Sequence, residues 1–305
     1  MIIQSRGEPD RSRLALLATS LRPEQWTKNL LLFAGLLFGG RLFDPEAVAL
    51  ACAAFAIFCA LSGAMYLVND ISDRDVDRRH PIKELRPIAS GALPAGTAAA
   101  AAALLAAGAI TAAWLIAPRL AAIAGAYTLL LLAYSIRLKH IVIVDVLTIA
   151  GGFILRAVAG AVAVSVPIGP WLLACTTLLA LFLAFSKRRH ELVLLGEDAA
   201  RHRPILEQYT PYLLDQMIAV VTASTVVAYA VFATSTDTAQ RLGTRRLDLT
   251  IPFVLYGIFR YLYLVHQKRG GGSPAATLLN DRPLLACVVL WTGTVVLLMY
   301  SPLGK

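Results

Sequence analysis

The chain has 305 residues, of which 58% are hydrophobic and only 15% charged, with a mean hydropathy of +0.67. Soluble domains carry nearer a quarter charged residues, so a water-soluble globule is excluded; the charges gather in short stretches between long apolar runs, as in a polytopic membrane protein. The net charge of +9 lies in loops beside those runs, where it sets membrane orientation, and this argues against a nucleic-acid-binding surface.

Residues 1–27 read as a cytoplasmic N-terminal segment with an interfacial anchor at Trp26, and residues 28–305 as a single transmembrane domain. The first thirteen residues are polar and basic and lack the apolar core of a signal peptide, so the first span is expected to direct insertion. Apolar runs predict nine spans, at 28–40, 46–68, 95–117, 120–136, 141–164, 170–186, 212–234, 250–265 and 283–300. Twenty lysines and arginines fall in the N-terminal segment and after the second, fourth, sixth and eighth spans, against six on the other side. The larger group is expected in the cytoplasm. The alanine-rich run 97–107 suits close helix packing, within one subunit or between subunits of a homo-oligomer alike. Cys52, Cys59, Cys175 and Cys287 lie in apolar runs without metal-ligand spacing and read as small core hydrophobes. The fold class is all-α, a polytopic bundle of nine transmembrane helices.

The second span runs into Asn69-Asp70-Ile71-Ser72-Asp73-Arg74-Asp75-Val76-Asp77. On a helix Asp70, Asp73 and Asp77 fall at intervals of three and four and share one face, which leaves Asp75 off it. Three carboxylates so placed repel one another unless a cation neutralises them. Hard oxygen ligands suit Mg2+, which bridges to substrate phosphates, and Asn69 adds a neutral oxygen. The plainer alternative is a solvated loop whose acids balance its own arginines. Regular spacing and the position at a span end favour a metal–diphosphate site.

Downstream, Pro81 and Pro87 break the helix, so Lys83 and Arg86 can fold back over the acids and bind phosphate, or act as topology signals. Tyr134 and Lys139 close the fourth span. Asp145 and Arg156 lie within the fifth, eleven residues apart and nearly on one face; they face a polar cavity or pair between helices. Lys187, Arg188 and Arg189 end the sixth span, with His190 beside them given no catalytic role. Lys28, near Trp26, is within reach of a lipid phosphate.

Together these residues resemble the UbiA superfamily of intramembrane prenyltransferases over essentially the whole chain, because residues 69–77 match its first aspartate-rich motif, Asn-Asp-x-x-Asp-x-x-x-Asp. Five further stretches are similar to the decaprenyl-phosphate phosphoribosyltransferase branch. They are Arg22-Pro23-Glu24-Gln25-Trp26-Thr27-Lys28-Asn29, Arg86-Pro87-Ile88-Ala89-Ser90-Gly91, Tyr134-Ser135-x-x-Leu138-Lys139 with Asp145, Ser186-Lys187-Arg188-Arg189-x-Glu191-Leu192, and Asp281-Arg282-Pro283. The resemblance implies a UbiA-type bundle in the bacterial cytoplasmic membrane, its active site facing the cytoplasm. The activity it implies is Mg2+-dependent transfer of 5-phosphoribose from phosphoribosyl diphosphate (PRPP) to a polyprenyl phosphate of the decaprenyl type. Diphosphate is released, and the product feeds arabinan synthesis for the cell wall. Asn69, Asp70, Asp73 and Asp77 are then the expected metal ligands, the three acids being catalytic. Lys28, Lys83, Arg86, Tyr134, Lys139, Asp145, Arg156, Lys187, Arg188 and Arg189 are the expected phosphate- and substrate-binding set.

Ordinary members of the superfamily resemble one another in a second acidic motif after span six. Here that loop opens on three cations, and Glu191, Glu197 and Asp198 lack Asp-x-x-x-Asp spacing. One acid cluster among several cations suits a metal-diphosphate accompanied by further phosphates. A prenyltransferase joining a prenyl diphosphate to an aromatic or other small acceptor would want the missing motif. A transporter or lipid-binding protein would show paired intramembrane charges and inverted repeats.

Overall fold

In the computed structural model, which describes residues 12–195, 204–268 and 271–302, proline at the first or second helical position opens most of the long helices. Side-chain oxygens of Asp44, Thr210 and Asp281 cap three of them by accepting backbone N–H bonds. The expectations placed on Arg6, Arg11, Glu197, Asp198, Arg201, Arg203, Arg269, Gly270 and Lys305 lie outside the described residues. Helix α1 (Arg13–Ser20) leads into a 3-10 helix (Pro23–Leu32) and the short α2 (Phe33–Phe38). Then follow α3 (Pro45–Ser72), α4 (Arg74–Asp77), α5 (Ala95–Ile116), α6 (Pro118–Ile136), α7 (Val144–Ala163) and α8 (Pro170–Leu195). The rest is α9 (Pro211–Thr234), α10 (Thr236–Leu242), α11 (Ile251–Gln267), α12 (Pro274–Asn280) and α13 (Arg282–Tyr300), with no strand among the described residues.

Eight of these helices, among the described residues, are long and apolar enough to cross a membrane, and each lies on a predicted span. The first predicted span, 28–40, is a different object: a 3-10 helix followed by six α-helical residues. It still travels the height of the bundle. Arg22, at its start, bonds Asp70 at one end of α3, and Arg41, past its end, bonds Asp44 at the other. A 3-10 helix rises about 2 Å per residue against 1.5 Å for an α-helix, so fewer residues cover the distance. With this segment the described chain crosses nine times.

The two largest apolar cores hold most of the crossings together. Helices α3, α5, α6 and α7 close around Phe58, Leu61, Leu120 and Ala159, while α7, α8, α9 and α11 close around Val146, Phe182, Ile218 and Tyr261. Helix α7 serves both and is central. It also meets the first crossing at backbone distance: a Cβ on Gly160 would lie 1.9 Å from the Leu32 carbonyl oxygen, and one on Gly35 would lie 2.6 Å from the Ala161 backbone. Small residues allow such approaches between membrane helices. Gly160→Val is therefore expected to destabilise the fold by about 2–3 kcal/mol, read as a lowered thermal midpoint in detergent. An unchanged midpoint would contradict the contact. All four cysteines are free; Cys59 and Cys287 are buried, but Cys52 faces outward, which corrects its reading as a core residue.

Candidate active site

Helix α3 carries its apolar sequence to the end of the bundle where the aspartates begin. At Asp73 (φ −94°, ψ 3°) the α-helix is interrupted, yet the Asp73 and Asp77 N–H groups still donate to the Asn69 and Asp73 carbonyls. The register of three and four therefore continues through α4, and Asp70 and Asp77 land on the inner face, 3% and 2% exposed. Asp75 points outward, 3.8 Å from Arg78.

Cations already stand among these acids. Arg86 Nη1 donates to both Asp70 Oδ1 (3.1 Å) and Asp77 Oδ2 (2.5 Å), and Arg22 Nη2 donates to the same Asp70 oxygen at 2.5 Å. Lys139 pairs with Asp73, whose other oxygen accepts from Asn69 Nδ2 at 3.0 Å. Arg22 is held in the left-handed region (φ 52°, ψ 64°), with its guanidinium 4.9 Å from the centre of the Tyr66 ring. Arg78 Nε donates to the Ala89 carbonyl, tying down the loop that brings Arg86 back over α3; Lys83, on the same loop, is half-buried. Among the described residues no three acidic, histidine or cysteine side chains converge as a ready-made metal site. The point between Asp70 and Asp77 is nonetheless one that a cation fills, here a guanidinium nitrogen, and the donors around it are hard oxygens. The set fits a divalent ion that competes with Arg86.

A second layer locks the same end. Arg188, 1% exposed, donates from Nε to Asp145 Oδ2 (2.7 Å), from Nη1 to Glu191 (2.8 Å) and from Nη2 to the Tyr134 hydroxyl (3.3 Å). The Tyr209 hydroxyl donates to Asp145 Oδ1 (2.9 Å) and accepts from the Ile143 N–H (2.7 Å). Burial pushes that hydroxyl up to about 12, so it remains a donor at neutral pH. Arg189 pairs with Asp215, which also faces His266, and Lys187 lies 3.8 Å from Glu191. Arg188 and Arg189 are thus engaged by the protein itself.

Further inward lies a third group. Arg156 donates to Asn29 Oδ1, the Tyr127 hydroxyl and the Gly152 carbonyl. Asp145 and Arg156 share nearly one face of α7 yet join separate clusters, because eleven residues of helix hold them about 16 Å apart. The Lys28 side chain makes no hydrogen bond or ion pair among the described residues; Lys187, Arg156, Arg22 and Glu24 are its charged neighbours. Sequence reasoning selected neither Arg22 nor Tyr66, Ser62, Tyr127, Tyr209 and Asp215. The four-residue steps Ser62, Tyr66, Asp70 were a readable signal, a polar stripe descending into an apolar helix.

The sequence model of the UbiA prenyltransferase family matches residues 30–280. The chain belongs to the UbiA prenyltransferase family. It is 34% identical over 307 residues to a decaprenyl-phosphate phosphoribosyltransferase of Mycolicibacterium smegmatis, spanning 96% of this chain and 95% of that one. A decaprenyl-phosphate phosphoribosyltransferase of Corynebacterium glutamicum is 33% identical, covering 97% of this chain and 90% of its own. In three dimensions this UbiA-family chain is similar to a UbiA homologue of Archaeoglobus fulgidus bound to DMAPP and Mg2+. The TM-score is 0.70 at 17% identity, over 92% of this chain and 98% of that one. The shared fold and the eight long apolar helices make it an integral membrane protein.

Proposed function

We propose that this UbiA-family protein transfers 5-phosphoribose from PRPP to a polyprenyl phosphate of the decaprenyl type, releasing diphosphate. Near full-length similarity to two enzymes named for that substrate supports the reading. The observation that carries it is the surplus of basic groups at this end of the bundle: Arg22, Arg86 and Lys139 pair with the three aspartates, and Lys28, a neighbour of Arg22, has no carboxylate partner among the described residues. A donor bearing a diphosphate and a 5-phosphate, meeting an acceptor bearing another phosphate, needs that surplus.

Asp70, Asp73 and Asp77, with Asn69, would hold Mg2+, and when bound the ion neutralises charge on the departing diphosphate. Arg22, Arg86 and Lys139 sit on flexible arms, so they can exchange a carboxylate for a phosphate oxygen and keep the site compensated before and after the donor arrives. The buried Asp145–Arg188–Glu191 cluster joins the ends of α6, α7 and α8 and so positions Lys139 and Lys187. An acceptor phosphate is already anionic near neutral pH, so no strong base is needed and holding two anions together is the main task. The acid end would face the cytoplasm of a bacterial cytoplasmic membrane, in keeping with the cation-rich loops on that side. Its product would serve as a precursor of cell-wall arabinan.

The experiment uses purified protein in detergent, with Mg2+, labelled PRPP and polyprenyl phosphate. Label is expected in the lipid extract and is lost when a chelator is added. A product formed instead from a prenyl diphosphate and an aromatic acid would assign ordinary prenyl transfer.

A further inference from the structure

Among the described residues, Arg156 is a buried cation without a carboxylate partner. It is 7% exposed, in the middle of α7, and its three hydrogen-bond acceptors are neutral: Asn29 Oδ1 (2.7 Å), the Tyr127 hydroxyl (2.6 Å) and the Gly152 carbonyl (3.1 Å). Its guanidinium lies over the rings of Tyr127 and Phe153, also neutral, at 4.8 and 5.3 Å. Buried Arg188, by contrast, meets two carboxylates. A charge inside a membrane protein is costly unless an opposite charge answers it. Lys28 stands next to Asn29, is a charged neighbour of Arg156, and has no ion pair among the described residues.

We infer that Arg156 and Lys28 seat the phosphate of the lipid acceptor, inward of the donor's anomeric carbon. The inference rests on the transfer reaction proposed above, and its direction comes from stereochemistry. With the diphosphate held at the Asp70–Asp77 end, a nucleophile that displaces it reaches C1 from the opposite face, as in inverting glycosyl transfers. That face looks inward along α3, past Tyr66 and Ser62, which follow Asp70 at steps of about 6 Å, toward the layer of Arg156. Ser62 itself bonds Tyr127, the partner of Arg156, at 3.0 Å.

In the step, an oxygen of the acceptor phosphate forms a bond to C1 while the bond from C1 to the diphosphate oxygen breaks. The electron pair leaves with the diphosphate. The attacking oxygen is already deprotonated, so no proton moves. Beyond Arg156 and farther from the acid end lies a cavity of about 300 Å³ whose mostly apolar lining includes Phe38, Ala157, Trp171 and Phe232, with Asp237 and Arg241 also on its wall. Its apolar walls suit the first isoprene units of a lipid whose phosphate sits one layer above.

The test compares wild type, Lys28→Met and Arg156→Gln in the full-length protein. The Lys28 side chain makes no hydrogen bond or ion pair among the described residues, so its loss should leave the fold intact even if Arg156→Gln does not fold. With active enzyme, KM for polyprenyl phosphate is expected to rise at least about tenfold while KM for PRPP stays within about twofold. A second measurement needs no turnover: binding of farnesyl phosphate, with farnesol as the phosphate-free control. Wild type should bind farnesyl phosphate at least about tenfold more tightly than either variant, and all three should bind farnesol alike. A rise in KM for PRPP instead, wild-type binding no tighter than Lys28→Met, or no wild-type binding of farnesyl phosphate would overturn the inference. Failure of wild type to transfer label from PRPP, with phosphate-dependent lipid binding intact, would overturn the proposed reaction and leave the seat standing.

Discussion

Asp70→Asn is expected to lower kcat/KM for PRPP by about 10²–10³-fold while the protein stays folded. One Asp70 oxygen accepts from both Arg22 and Arg86, and the residue is 3% exposed, so its charge is concentrated on the inner face of the acid cluster. An amide keeps the shape but removes the charge that would hold a divalent ion, and it takes a carboxylate partner from both Arg22 and Arg86. Folding is insulated because α3 is anchored by Phe58, Leu61 and Leu67 well inside the bundle. Asp75→Asn is the matched control. Its side chain is 83% exposed and off the shared face, so turnover should be unchanged. Initial rates across a range of Mg2+ concentrations decide the matter: Asp70→Asn turning over like wild type, with the same metal dependence, would remove the acid cluster from the reaction.

The largest effect on stability is expected from Arg188→Met. Removing this side chain takes from Asp145, which is 0% exposed, a charged partner at 2.7 Å and from Glu191 one at 2.8 Å, while the Tyr209 hydroxyl stays on Asp145. Breaking a buried pair from one side costs about 3–5 kcal/mol, because the remaining charge is left without compensation. The double variant Asp145→Asn/Arg188→Met should recover part of that loss, since both buried charges go together. Thermal unfolding in detergent reads both. A single variant as stable as wild type would mean that water reaches Asp145 and that the cluster does not lock the ends of α6, α7 and α8.

Much of the molecule was legible along the chain. Helices α3, α5, α6, α7, α8, α9, α11 and α13 lie on predicted spans because twenty or so apolar residues form a helix wherever they enter a membrane, whatever their neighbours. The alignment of Asp70 with Asp77 was equally local: helical register alone puts them on one face, and Arg86 now bridges them. The first crossing was not legible as it stands. Its seat against α7 rests on the close contacts of Gly160 with Leu32 and of Gly35 with Ala161, partners more than a hundred residues away.

The cations divide along the same line. Composition and loop position marked Lys28, Lys139, Arg156, Lys187, Arg188 and Arg189 as a basic set, but a charge in a sequence does not say which acid it will meet. Folding pairs Lys139 with Asp73, Arg188 with Asp145 and Arg189 with Asp215, each across helices far apart in the chain. Among the described residues it leaves Arg156 to neutral groups and Lys28 without a hydrogen-bonded or ion-pair partner. By itself the sequence determined the membrane class, the span positions and the acid face, all products of short-range periodicity. Only the tertiary structure decided which cations are spent on the protein's own carboxylates and which stay open to a substrate anion, because that depends on which helices come to lie side by side.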